Sequence, residues 1–254
     1  MKYLLSLMAF FAIFSFTACM DDDDSVTNGN VSTTINFRAE YDDTDLSIQS
    51  ITYDYPTGPK LKATLFQYYI SDLELLPADG GAAVRLADID LIRYQAETDG
   101  SVASRTYDVP AGDYVGLRFG LGVKPELNAM DPNEFSADFV LNEVQFWNAN
   151  ARYVFAKIEA NADLENDGTF DTGLTYHLGS DALYTTITFD GDFAISSTAN
   201  PELDIVADVL KALASDTESF DISNRDQQRI HGMNQTIGQD IWDRLAGQFE
   251  LQVR

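Results

Sequence analysis

This sequence predicts an all-β fold, an antiparallel β-sandwich with two C-terminal helices, on three observations. Apolar and polar residues alternate over many short segments, turn-forming residues separate those segments, and apolar residues fall at helical spacing only towards the end of the chain. No rhythm of strand, helix and strand runs through it, which excludes a parallel sheet with crossover helices.

The elements follow in order. In Val31-Ser32-Thr33-Thr34-Ile35-Asn36-Phe37-Arg38-Ala39 the odd positions are apolar and the even ones polar, the pattern of a half-buried strand. The same alternation recurs in Tyr114 to Leu121 and in Leu183 to Phe189. Further strands are predicted over Leu65 to Leu76, Val84 to Tyr94, Ser104 to Val109, Tyr153 to Glu159, Leu174 to Leu178 and Asp192 to Ser196. Pro56-Thr57-Gly58-Pro59, Asp79-Gly80-Gly81, Asp99-Gly100, Pro110-Ala111-Gly112 and Asp190-Gly191 supply turns between them. Near the end, Ile205, Val209 and Leu213 stand four apart, as do Ile237, Ile241 and Leu245, with Trp242 and Phe249 widening the second stripe. Two closing helices are the expectation, with Trp242 in the core.

The chain has 254 residues, 41 Asp and Glu against 16 Lys and Arg, and a net charge of −25. Such a chain is repelled by phosphate backbones, so nucleic acid is excluded as a general partner. The aromatic and β-branched content is enough for a core, which argues against wholesale disorder. A single cysteine permits no internal disulfide and no cysteine-rich zinc site.

That cysteine belongs to the first twenty residues. Lys2 is followed by an apolar run from Leu4 to Phe16, of signal-peptide length and too short to span a bilayer of ~30 Å hydrocarbon thickness. Phe16-Thr17-Ala18-Cys19 resembles a bacterial lipobox, with Phe16 where Leu is usual. The expectation is a signal peptide over residues 1–18 and a lipid on Cys19. Asp21, Asp22, Asp23 and Asp24 resemble the export signal of Bacteroidetes surface lipoproteins; the alternative is a solvated tether. Residues 19–30 read as an acidic, lipid-anchored linker and residues 31–254 as the folded domain. The expected location is the outer membrane, with the protein displayed at the cell surface.

A search for chemistry begins with absences. No dinucleotide-binding glycine fingerprint, no phosphate-binding loop and no Gly-x-Ser-x-Gly elbow occurs. Paired carboxylates could cleave glycosides, but 41 acids bring some pair together by chance. One acidic run has a meaningful spacing. Asp163, Glu165, Asp167, Thr169 and Asp171 stand at positions 1, 3, 5, 7 and 9 of a loop with Gly168 at position 6, the order of an EF-hand-type calcium loop in which position 7 offers its backbone carbonyl. Leu174 occupies the twelfth position, where that loop has Glu. The run is therefore an incomplete calcium site, a calcium site completed from elsewhere in the chain, or an Asn-Asp-Gly hairpin.

Four segments occur in a fixed order: FQYYISDLELL at Phe66 to Leu76, Phe146-Trp147-Asn148 followed by Tyr153 to Glu159, Tyr176-His177-Leu178-Gly179-Ser180, and His231-Gly232-Met233. Together they resemble the MbnP-like copper-binding protein family, lipoprotein members from Bacteroidetes included. The resemblance implies a β-rich secreted protein in which histidines and an oxidised tryptophan, kynurenine, hold Cu(I), the oxidation being made by a di-haem peroxidase-like partner. It makes His177 the leading candidate ligand and Trp147 the candidate for oxidation. Ala149 stands where the family pattern has a second histidine. His231 and Met233 can supply the missing nitrogen and a thioether, provided that the fold brings residues 147, 177 and 231 together. Otherwise both histidines are structural and Trp147 is a core anchor. Three functions compete on this reading: a copper-handling binding protein that is not an enzyme, a copper-free surface lipoprotein that binds a glycan or a protein, and a carboxylate hydrolase, ranked last for want of a catalytic motif.

Overall fold

In the computed structural model, which describes residues 29–96, 100–142, 145–214, 221–231 and 235–254, the alternation of the first segment becomes a long strand, β1 (Asn30–Tyr41). Two short strands follow, β2 (Thr44–Asp45) and β3 (Tyr53–Asp54), and then the longest, β4 (Lys60–Pro77). The expected strands after it are β5 (Val84–Gln95), β6 (Val102–Pro110) and β7 (Gly112–Leu121). A one-turn helix, α1 (Pro125–Asn128), opens an irregular stretch that ends in a small hairpin of β8 (Phe146–Asn148) and β9 (Arg152–Tyr153). The chain then forms β10 (Ala156–Asp163), β11 (Thr172–Leu178) and β12 (Thr185–Ile195). It closes with β13 (Leu203–Asp208), α2 (Val209–Leu213), α3 (Arg225–Gln228), β14 (Arg229–His231), α4 (Gln235–Gly247) and β15 (Glu250–Val253).

Two sheets carry this framework. One has five strands, in the order β15-β13-β1-β2 with β6 also on β1; the other has eight, in the order β12-β7-β4-β10-β11-β14 with β3 and β5 also on β4. Their facing sides share one core, in which Phe37, Phe66, Tyr68, Tyr94, Phe119, Tyr176 and Trp242 are buried. Phe249, just ahead of β15, meets Tyr68 and Phe119 edge-on at centroid distances of 5.3 and 5.5 Å. This is the predicted sandwich, and α4 is the predicted last helix. Trp242 lies in the core, its indole N–H donating to Thr185 Oγ1 at 3.0 Å.

The C-terminal region departs from expectation. Ile205 belongs to β13, not to a helix, and the helical part of that stripe is only Val209–Leu213. β13 lies between β1 and β15, and all six of its residues are buried, so no alternation betrays a strand. Phe249 follows α4 and does not extend its face. Two strand pairs are parallel, β1 with β13 and β11 with β14, within sheets that are otherwise antiparallel. Asp190-Gly191 is no turn either: β12 runs through it with a register shift between Asp190 and Phe193, which merges the two predicted strands. Among the described residues no helix is long and apolar enough to cross a membrane. The predicted signal peptide, Cys19 and Asp21 to Asp24 lie outside the described residues.

Candidate metal centre

The side of the eight-stranded sheet turned away from the core carries polar residues in rows across the strands. Partner residues on neighbouring strands share a face, so the register Gln67↔Lys157, Lys157↔His177 and His177↔His231 sets four nitrogen-bearing side chains in one row across β4, β10, β11 and β14. The parallel pairing of β14 with β11 is what brings His231, distant in sequence, beside His177. Their imidazole centroids are 4.9 Å apart with the rings nearly perpendicular.

Trp147 completes the group from above. Its ring meets both imidazoles edge-on, at centroid distances of 6.2 Å to His177 and 5.4 Å to His231. The hairpin that carries it is held at several points. Asn148 Oδ1 accepts from the backbone N–H groups of Asn150 and Ala151, both at 2.9 Å, which shapes the turn. Arg152 donates to the carbonyls of Asn128 at 2.7 Å and Met130 at 2.8 Å, and its guanidinium lies 5.3 Å from the Phe146 ring centre. Phe146 packs edge-on against Tyr153, whose hydroxyl donates to the Leu141 carbonyl. Trp147 itself is 45% exposed, so it is not the core anchor that was its alternative reading.

Gly179, of the His-Leu-Gly-Ser segment, brings this hairpin and β11 together. A Cβ at that position would lie 2.6 Å from Tyr153 O, 2.9 Å from Phe155 N and 3.0 Å from Val154 Cα, all backbone atoms. The close approach is sealed by the Phe155 N–H donating to Leu178 O at 2.7 Å. Glycine therefore allows the strand with His177 to touch the segment that leads out of the Trp147 hairpin.

The electrostatics favour a neutral imidazole at His177. Burial lowers the pKa of His177, against an opposing hydrogen bond from Glu159. His177 Nε2 is 2.7 Å from Glu159 Oε1. His231 Nδ1 is buried and has no hydrogen-bond partner among the described residues. Lys157, its own pKa lowered by burial, reaches Gln145 Oε1 at 3.4 Å. Two imidazoles side by side, one with a buried nitrogen that no hydrogen bond engages among the described residues, form a donor set that fits a borderline or soft metal ion, copper included. Met233 lies outside the described residues. Ala149 is at the exposed turn of the hairpin.

Sequence reasoning did not single out Glu159. The signal was present: β10 alternates, Lys157 and Glu159 fall on its outward face, and Glu159 pairs with Thr175, two residues before His177. A diagonal neighbour on an adjacent strand is within reach of a long side chain.

The run read as an incomplete calcium site or a hairpin forms the loop between β10 and β11. Buried Asp163 spends its oxygens on the chain itself, accepting from Asp167 N at 3.1 Å and Gly168 N at 2.8 Å. Asp167 Oδ1 accepts from Thr169 N at 2.8 Å, while Glu165, Asp167, Thr169 and Asp171 are exposed. Asn166 and Gly168 adopt positive φ angles of 55° and 92°, as a tight connection requires. Among the described residues, the acidic side chains whose oxygens do gather within 4.8 Å are Glu40, Asp43 and Asp208. These are committed elsewhere, Asp208 to capping α2 and to the Asp43 N–H, and Asp43 to Lys211.

Comparison with known proteins was informative in two ways. A family model described as MbnP matches residues 29–233. Among solved structures, MbnP from Methylosinus trichosporium is similar, with 16% sequence identity, a TM-score of 0.56, and coverage of 88% of this chain and 99% of that one. At that identity the likeness is one of fold. Curated proteins gave no match.

Proposed function

The chain belongs to the MbnP family, and from that premise we propose that it is a copper-binding protein, not itself an enzyme, whose metal is held by His177 and His231 beneath Trp147. The observation that carries the reading is the convergence of these three rings from β8, β11 and β14, with centroid distances of 4.9 to 6.2 Å. Copper supplies a Lewis-acidic, redox-active centre; the residues of this chain supply nitrogen lone pairs, a water-poor floor and a fixed indole. The hairpin leaves Trp147 accessible, which suits oxidation by a partner such as a di-haem peroxidase-like protein. We place the protein at the bacterial outer membrane, tethered by an acylated Cys19 and carried to the surface by Asp21 to Asp24.

The test is equilibrium Cu(I) uptake by the mature chain in competition with a chelator. The parent takes up one copper, and the double variant His177→Ala with His231→Ala takes up none above background while keeping its circular dichroism. A parent that binds no copper overturns the reading in favour of a copper-free ligand-binding lipoprotein of the same fold. Peptide mass mapping reads the state of Trp147, and Cys19→Ala releases the protein from membranes if the anchor is there.

A further inference from the structure

The outward face of the eight-stranded sheet carries, one row away and diagonal to His177, a carboxylate beside the histidine pair. Glu159 Oε1 lies 2.7 Å from His177 Nε2. An ionised carboxylate can only accept, so Nε2 carries the hydrogen, and the lone pair of His177 resides on Nδ1. Lys157, the cation nearest along β10, reaches to Gln145 Oε1, which leaves Glu159 to the imidazole. On the neighbouring strand, His231 presents a buried Nδ1 that has no hydrogen-bond partner among the described residues. Both histidines thus have the same nitrogen uncommitted, side by side on paired positions of β11 and β14.

We propose that Glu159 is a positioning residue: its carboxylate locks His177 in the Nε2–H form and fixes the ring so that the metal is taken up by Nδ1 of His177 together with Nδ1 of His231. The inference rests on the copper reading above and specifies which atoms do the binding. A carboxylate on the far nitrogen of a ligating imidazole fixes its tautomer and orientation and raises its basicity. Here it also places one negative charge where a bound cation adds a positive one. Glu159 itself need touch no metal.

The experiment uses the full mature chain labelled with ¹⁵N-histidine. Long-range proton–nitrogen spectra of the metal-free protein report the tautomer, and Ag(I), a spin-½ stand-in for Cu(I), splits the nitrogen it binds. The expected parent spectrum has His177 in the Nε2–H form and silver coupling at Nδ1 of both histidines. In Glu159→Ala, His177 should become a mixture of tautomers and Cu(I) affinity should fall by about 10–100-fold. Glu159→Gln keeps a carbonyl acceptor, so it should retain the tautomer and recover part of the affinity; it also serves if the alanine variant fails to fold. Silver coupling at Nε2 of His177, or a Glu159→Ala protein with tautomer and affinity unchanged, overturns the proposal and leaves copper binding standing. A parent that binds neither ion overturns the copper reading, and this one with it.

Discussion

Gly179→Ala should damage the fold and the metal centre together, and the structure gives its size. The added methyl would meet three backbone atoms of the Tyr153 to Phe155 segment at 2.6 to 3.0 Å, with no flexible side chain to give way. Either β11 or the segment beyond the Trp147 hairpin must shift by several tenths of an ångström, and overpacking of this kind costs ~1–3 kcal/mol. For a chain of this length each kcal/mol lowers the melting temperature by ~2–4 °C, so a fall of ~2–12 °C is expected in thermal denaturation. Gly173 is the internal control. It lies in β11, the strand that Gly179 directly follows, a Cβ there meets nothing within 4 Å, and its φ is not positive. Gly173→Ala should therefore match the parent or melt slightly higher, because alanine restricts the unfolded chain. Copper affinity should drop in Gly179→Ala and hold in Gly173→Ala, since only the first change moves Trp147 relative to His177. If the two variants melt together, the close approach does not limit the structure and the argument is wrong.

Other consequences can be checked alongside. Trp242→Ala removes a buried indole and its hydrogen bond to Thr185, so denaturant unfolding should show a loss of ~3–5 kcal/mol; a loss near that of a surface substitution would refute its place in the core. Burial lowers the pKa of His177 below its ordinary 6.5, so the unfolded chain binds more protons at that site than the folded one. The stability that neutral His177 contributes is present above pH 6.5 and lost as pH falls below it towards the folded value. His177→Gln in the metal-free protein should flatten that part of the pH–stability curve; an identical curve would refute the assignment. If the loop from Asp163 to Asp171 takes calcium, millimolar Ca²⁺ should raise the melting temperature over that in EDTA and the rise should vanish in Asp167→Ala, whereas coincident melting of the parent would leave only the hairpin.

Sequence and structure agree where one face of a strand is wet. Val31 to Ala39 and Tyr114 to Leu121 alternate because one side packs on the core, and both appear as strands, β1 and β7. Agreement fails at one short strand whose two faces are both dry, although the longer β4, also buried on both faces for much of its length, was legible. Leu203 to Asp208 is buried throughout, so Ile205 could be read as the start of a helical stripe. The four-residue spacing of Ile237, Ile241 and Leu245 is a true helix, because α4 buries one side only. At the candidate centre, residue types were legible and geometry was not. His177, His231 and Trp147 could be named from a family resemblance, but their meeting depends on the parallel pairing of β11 with the three-residue strand β14. No local pattern in so short a segment announces a partner strand. Glu159 escaped notice for a similar reason, since its value lies in a diagonal contact across a register that only the fold defines. In the acidic loop the side chains stand in the order the spacing predicts, and the fold adds that Asp163 accepts the N–H groups of Asp167 and Gly168.

The most direct test of the account is a crystal structure of the mature protein loaded with Cu(I), with anomalous diffraction recorded on both sides of the copper edge. The account predicts one copper peak within bonding distance of an imidazole nitrogen of His177 and of His231, beneath the ring of Trp147 or its oxidised product. A peak among Glu40, Asp43 and Asp208, or no peak in a crystal whose histidine pair is intact, would contradict it.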